Sequence, residues 1–154
     1  MLFVIDIGNT HTVAGIIEGL NITRQWRIKT DAAMTADELG VMYYNLFGMA
    51  RIDCSLVSGV VLSSVVPQLE SAYFQCCSRL FKETEGFKLV NICSETVADI
   101  IAVKLKNPAE VGADRLVNEI GAHYLCRANA IVIDFGTAIT FDCISERCEY
   151  LGGL

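Results

Sequence analysis

Two stretches of this sequence repeat each other, and no other feature limits the fold as tightly. Phe3-Val-Ile-Asp-Ile-Gly-Asn-Thr-His-Thr-Val13 lays over Ile131-Val-Ile-Asp-Phe-Gly-Thr-Ala-Ile-Thr-Phe141, with identities at Val4/Val132, Ile5/Ile133, Asp6/Asp134, Gly8/Gly136 and Thr12/Thr140. From Asp6 to Asp134 is 128 residues, the length of a whole folding unit rather than of a solenoid repeat. The second copy has its opening hairpin and little else before Leu154. The chain therefore reads as a two-domain protein cut short within its second domain, with a first domain over 1–106 and the beginning of a second over 107–154.

Between the two copies the pattern is that of an α/β fold. Leu2 to Ile7, Thr12 to Ile17 and Leu20 to Ile28 are β-branched stretches joined by turns, which predicts a three-stranded meander. Thr35 with Glu38 makes a capping box, and Leu39, Met42, Tyr43 and Leu46 recur on one helical face, so a helix is expected from about 35 to 50. Gly59 to Val66 reads as a buried strand, and Pro67 opens a helix whose apolar face carries Leu69, Ala72, Tyr73, Cys76 and Leu80. A strand at Phe87 to Ile92, a helix marked by Leu116, Ile120 and Tyr124, and the second hairpin complete the order βββαβαβ, then αββ. Tyr43 and Tyr44 are both placed on a packing stripe.

Composition excludes several classes. Hydrophobic residues make up 53% and charged residues 19%, with two prolines, which is incompatible with a disordered chain. A net charge of −6 disfavours nucleic acid and anionic membrane as partners, so any phosphate site must be local. No apolar run reaches the roughly 18 residues of a membrane span, and Met1 to Asp6 does not suit a secretory leader. Seven cysteines without C-x-x-C spacing fit reduced thiols in a cytoplasm.

Two constellations carry chemistry. The first is Asp6-Ile-Gly-Asn-Thr10, a strand ending in a carboxylate followed by a turn. Gly8 there permits positive φ and close approach of a phosphate, and backbone N–H groups are available as an anion nest. Asp6 would hold Mg²⁺ through water. An ordinary hairpin turn with nothing bound fits the same residues, and the second Asp-x-Gly weighs against it because two facing hairpins would make a nucleotide cleft. The second constellation is Asn107 to Asn118, a turn-rich segment leading into a helix with Asp114 and Arg115 near its first turn. One reading makes Asp114 a dipole-complementing acid and Asn107 to Glu110 a capping signal. The other makes Asp114 a base that accepts a hydroxyl proton and Arg115 the ligand of an anionic group.

Asp6-Ile-Gly-Asn-Thr10, Ser64-Val-Val-Pro67, Asn107-Pro-Ala-Glu-Val-Gly-Ala-Asp-Arg115, Asp134-Phe-Gly-Thr137 and Tyr150-Leu-Gly-Gly153 occur in the order seen in type III pantothenate kinases, and over its whole length the chain resembles that family. The resemblance implies a ribonuclease H-like, actin-like ATPase domain, a mixed sheet flanked by helices, followed by the start of a duplicated second domain. It implies ATP-dependent phosphorylation of pantothenate, the first step of coenzyme A biosynthesis, in a cytoplasmic homodimer. By motif, ATP would be bound by Asp6, Ile7, Gly8, Asn9, Thr10, His11, Thr12, Val13 and Thr137. Pantothenate would be bound by Gly112, Ala113, Asp114 and Arg115, with Asp114 the general base. Asp134 would bind a monovalent cation, K⁺ or NH₄⁺, beside Mg²⁺ at Asp6. The sequence departs from the family's pattern at Leu105, where the family often has Tyr, and at Ile139, where it has a second Thr. The competing reading is a non-catalytic nucleotide-fold regulator related to the family, against which Asp6, Asp114, Arg115 and Asp134 stand together. A chain ending at Leu154 is expected to be inactive alone and to expose the apolar strands 131 to 133 and 139 to 144.

Overall fold

The computed structural model describes residues 1–136 and 138–154. They form two compact units, Met1–Asn91 and Ile92–Leu154.

The first unit opens with the expected meander: β1 (Leu2–Ile7), β2 (His11–Glu18) and β3 (Asn21–Lys29). Gly19, at φ +62, turns the chain from β2 to β3. Helix α1 (Ala36–Ala50) starts at the capping box, in which Thr35 accepts from the Glu38 N–H and Glu38 accepts from the Thr35 N–H. It leads into β4 (Gly59–Ser64), α2 (Pro67–Leu80) and β5 (Lys88–Asn91). The sheet order is β3-β2-β1-β4-β5, antiparallel on one side of β1 and parallel on the other. Each parallel step is made by a crossover helix, as parallel pairing requires.

Both helices pack on one face of this sheet. Leu39, Tyr43 and Phe47 of α1 and Leu69, Tyr73, Cys76 and Cys77 of α2 are buried with Phe3, Ile5, Ile7, Ala14, Ile16, Val60 and Leu62. Phe3 is the hub, edge-on to Tyr43 at 5.1 Å and Phe47 at 5.0 Å. Tyr44, expected beside Tyr43 on the packing stripe, is instead 68% exposed, because one residue along a helix is a turn of about 100° away from the core.

The second unit contains β6 (Ala102–Val103), α3 (Ala113–Cys126), β7 (Ala130–Phe135), β8 (Ile139–Ile144) and β9 (Glu149–Gly153), with sheet order β6-β9-β8-β7. Strands β6 and β9 extend the expected αββ order. Two residues of β6 are too short to carry an alternation, and β9 reads as a glycine-rich turn. The core is small, built from Val97, Ile101, Val111, Leu116, Ile144 and Tyr150.

The repeat seen in sequence is a repeat in structure, with two differences. Ile7 pairs with Thr12 across residues 8–11, whereas Phe135 pairs with Ile139 across residues 136–138, so the return strand of the second hairpin is shifted by one position. Thr12 and Thr140 align in sequence but not in register. Phe3, Ile5 and Ile7 are buried, while their counterparts Ile131, Ile133 and Phe135 are exposed, Phe135 by 78%. The bare surface of β7 is thus an alternating face as well as an edge.

Candidate active site

In the first unit the site is built at the end of β1. The parallel register sets Asp6 beside Ser63 of β4, and the Ser63 hydroxyl donates to Asp6 Oδ1 at 3.1 Å. Asp6 is exposed. Beyond it the turn is closed by the Gly8 N–H donating to the His11 carbonyl at 3.1 Å. The Gly8 N–H is therefore taken up within the turn itself. Gly8 also does not have positive φ, which among the described glycines occurs at Gly19, Gly86 and Gly152. Its smallness is needed for another reason: a Cβ there would sit 3.0 Å from the His11 carbonyl oxygen.

Thr30, at the end of β3, braces the turn from behind. Its hydroxyl donates to the Gly8 carbonyl at 2.7 Å and lies 3.0 Å from the Thr12 hydroxyl, and its N–H donates to the Thr10 carbonyl. Asn9, Thr10 and His11 face outward, and His11 Nδ1 lies 3.2 Å from the Arg27 guanidinium. Ile7 and Thr12 are buried and Val13 is half-buried. Sequence reasoning missed Ser63 and Thr30, which touch the turn only because strand pairing brings them there.

In the second unit, Gly112 is the N-cap of α3 and supplies no side-chain cap. The expected capping signal closes a different turn: Asn107 donates its amide to Glu110 at 2.8 Å within the short helix Pro108–Glu110. Asp114 lies in the first turn of α3, where its Oδ1 accepts the Arg115 N–H at 2.8 Å. Carboxylates are favoured at that end of a helix. Ala113 is buried. Asn118, one turn further on the same face as Asp114, donates its amide to Asp134 Oδ2 at 3.2 Å. Asp114 and Asp134 thereby lie on the same side of the unit. Thr137 lies outside the described residues.

Arg115 points the other way, into the sheet. Its Nη1 is 3.1 Å from Asp142 Oδ1 on β8 and 3.5 Å from the Tyr150 hydroxyl on β9. Tyr150 donates to the same Asp142 oxygen at 2.6 Å. The Tyr150 bond, with Asp142's charge, raises the Arg115 pKa above its ordinary value, and burial raises the tyrosine's. Behind this cluster Glu119 is completely buried with neither carboxyl oxygen hydrogen-bonded among the described residues. Burial, and secondarily the charge on Asp142, push its pKa up to about 7. Asp142 and Glu119 escaped sequence reasoning because nothing in their spacing separates them from ordinary strand and helix polar residues.

The model of the type III pantothenate kinase family matches residues 2–154. The chain belongs to this family. A type III pantothenate kinase of Desulfotalea psychrophila is 45% identical over 154 residues, covering 100% of this chain and 58% of that protein. One of Desulforapulum autotrophicum is 42% identical over 153 residues, covering 99% of this chain and 57% of that protein. The chain thus spans less than two thirds of the length of these relatives. Among solved structures, a protein described as an N-acetylglucosamine kinase from Porphyromonas gingivalis matches with TM-score 0.56 at 9% identity, over 100% of this chain and 47% of the other. A protein described as a 2-dehydro-3-deoxygalactonokinase from Sinorhizobium meliloti matches with TM-score 0.55 at 11% identity, over 100% of this chain and 52% of the other. These likenesses show the actin-like kinase fold. All seven cysteines are free thiols, and no described helix is long and apolar enough to cross a membrane.

Proposed function

We propose that the protein carrying this chain transfers the γ-phosphoryl group of ATP to the primary hydroxyl of pantothenate, giving 4'-phosphopantothenate and ADP at the entry to coenzyme A biosynthesis. The observation that carries the reading is the paired placement of Asp114 and Arg115 at the start of α3, the carboxylate on the face that also meets Asp134 and the guanidinium tied into the sheet. In this reading the domains are 1–106 and the beginning of a second at 107–154.

Asp114 takes the hydroxyl proton as the oxygen–phosphorus bond forms, and the bond from the γ-phosphorus to its bridging oxygen breaks with the electron pair leaving on ADP. Arg115 binds an anionic group of the substrate. Gly112 and Ala113 add backbone contacts, and Asp6 to Val13 with Thr137 hold ATP. Among the described residues no three His, Cys, Asp or Glu side chains gather as a metal site. The residues fit cations held by one carboxylate plus water and phosphate oxygens, as Mg²⁺ beside polyphosphate is held: Mg²⁺ at Asp6, and K⁺ or NH₄⁺ at Asp134. Mg²⁺ there would neutralise charge on the phosphate oxygens. A cytoplasmic homodimer belongs to the same reading.

The test is ADP release by the full-length protein with ATP and Mg²⁺, with and without pantothenate. Release that depends on pantothenate and yields its phosphate ester supports the reading. ATP binding without acceptor-dependent release would favour a nucleotide-binding regulator instead.

A further inference from the structure

The Tyr150-Leu-Gly-Gly153 segment and Asp142 have no part in the reaction as described, yet the geometry gives them one. Asp142 is buried, its side chain 5% exposed, and such a carboxylate persists only where charge and hydrogen bonds compensate its lost hydration. Here a single oxygen, Oδ1, receives both the Tyr150 hydroxyl at 2.6 Å and Arg115 Nη1 at 3.1 Å. The backbone of β9 lies so close to this carboxylate that a Cβ at Gly153 would overlap it. Tyr150 and Gly153 therefore act on one target: the tyrosine orients the Asp142 carboxylate and the glycine leaves it room.

The consequence falls on Arg115. Its side chain is 30% exposed, and among the described residues only Nη1 is hydrogen-bonded, so Nε and Nη2 keep their N–H groups unbound. A guanidinium anchored at one nitrogen and open at the others offers a fixed fork to an anion. Burial raises the pKa of Glu119, which lies behind it, to about 7, so below that pH its carboxyl is mostly protonated and competes less for the guanidinium.

We propose that Asp142 and Tyr150 are positioning residues, which pin Arg115 so that its open edge is oriented for the anionic group of the substrate, and that Gly153 makes this possible. The proposal rests on the reading of Arg115 as a substrate ligand, and the experiment separates the two.

Steady-state kinetics of the full-length protein would compare Arg115→Lys, Tyr150→Phe, Asp142→Asn and Gly153→Ala, with thermal midpoints measured alongside. Tyr150→Phe is expected to raise the pantothenate KM roughly five- to tenfold, and Asp142→Asn more, while the ATP KM stays within about twofold. On an Arg115→Lys background the Tyr150→Phe effect should largely disappear, as it does when one residue acts through another. If Arg115→Lys leaves the pantothenate KM unchanged, the ligand reading of Arg115 fails. If Arg115→Lys raises it but Tyr150→Phe does not, or if Tyr150→Phe raises both KM values equally, the positioning proposal alone is wrong. Tyr150→Phe removes one oxygen and decides the matter even where Asp142→Asn or Gly153→Ala fails to fold.

Discussion

Ser63 donates its hydroxyl to Asp6 Oδ1 across 3.1 Å, so the neighbouring parallel strand helps to orient the carboxylate at the end of β1. Asp6→Asn keeps that hydrogen bond and removes the charge. It is expected to weaken Mg·ATP binding about tenfold or more, whereas Ser63→Ala, which costs orientation only, should weaken it several-fold less. Gly8→Val would drive a side chain against the His11 carbonyl and should abolish binding by distorting the turn. Calorimetric titration with Mg·ATP on the full-length protein measures all three, and unchanged affinity in Asp6→Asn and Gly8→Val would remove this turn from the nucleotide site.

The hydrophobic core depends on the ring cluster around Phe3, which is fully buried against Tyr43, Phe47 and Phe81. Phe3→Ala should cost about 3–5 kcal/mol of stability in urea unfolding. The equivalent change in the second copy, Ile131→Ala, should cost far less in this chain because Ile131 is 66% exposed. Similar losses at both positions would contradict the burial difference between the two copies.

Much of this was legible in sequence where short-range patterning decides the outcome. The capping box at Thr35 and Glu38, the proline opening α2 and the apolar runs of β1 and β4 fix their elements locally. The repeat at Asp6 and Asp134 located both hairpins. What remained hidden depends on pairing between distant segments. Ser63 and Thr30 reach the Asp6 turn from other strands, and Asp142, Tyr150 and Glu119 meet around Arg115 through a sheet order that periodicity does not reveal. Gly8 illustrates a subtler gap. Its presence was readable, but the reason for it, a close carbonyl and not positive φ, was not.

Glu119 makes stability depend on pH. Its pKa is raised from the ordinary 4.5 to about 7 in the fold, so the folded state holds a proton that the unfolded chain releases. Stability from this group is fully present below about pH 4.5 and declines by roughly 1.4 kcal/mol per pH unit as pH rises toward 7. Asp142 from β8, Cys148, and Arg115 and His123 one turn before and after it on α3 surround it or share its face. Glu119→Gln should flatten the profile of unfolding free energy between pH 5 and 7. An identical slope in the variant would show that the carboxyl is ionised or solvated in the folded protein.

Asp134, held by Asn118 and carrying the cation in the proposed mechanism, predicts a salt requirement. Turnover in potassium should exceed turnover in a bulky organic cation by a wide margin, and Asp134→Asn should lose most of that difference. Equal rates in both salts would take Asp134 out of the cation site.

The central claim is that Asp114 takes the proton of the attacking hydroxyl. The most direct measurement is the single-turnover rate of pantothenate phosphorylation by Asp114→Asn in the full-length protein, together with its affinity for Mg·ATP. The rate should fall by about 10²–10⁴ while ATP affinity stays near that of the unmodified protein, since the residue acts on the hydroxyl and not on the nucleotide. A rate within a few-fold of the unmodified protein, or a loss explained entirely by weaker ATP binding, would contradict it.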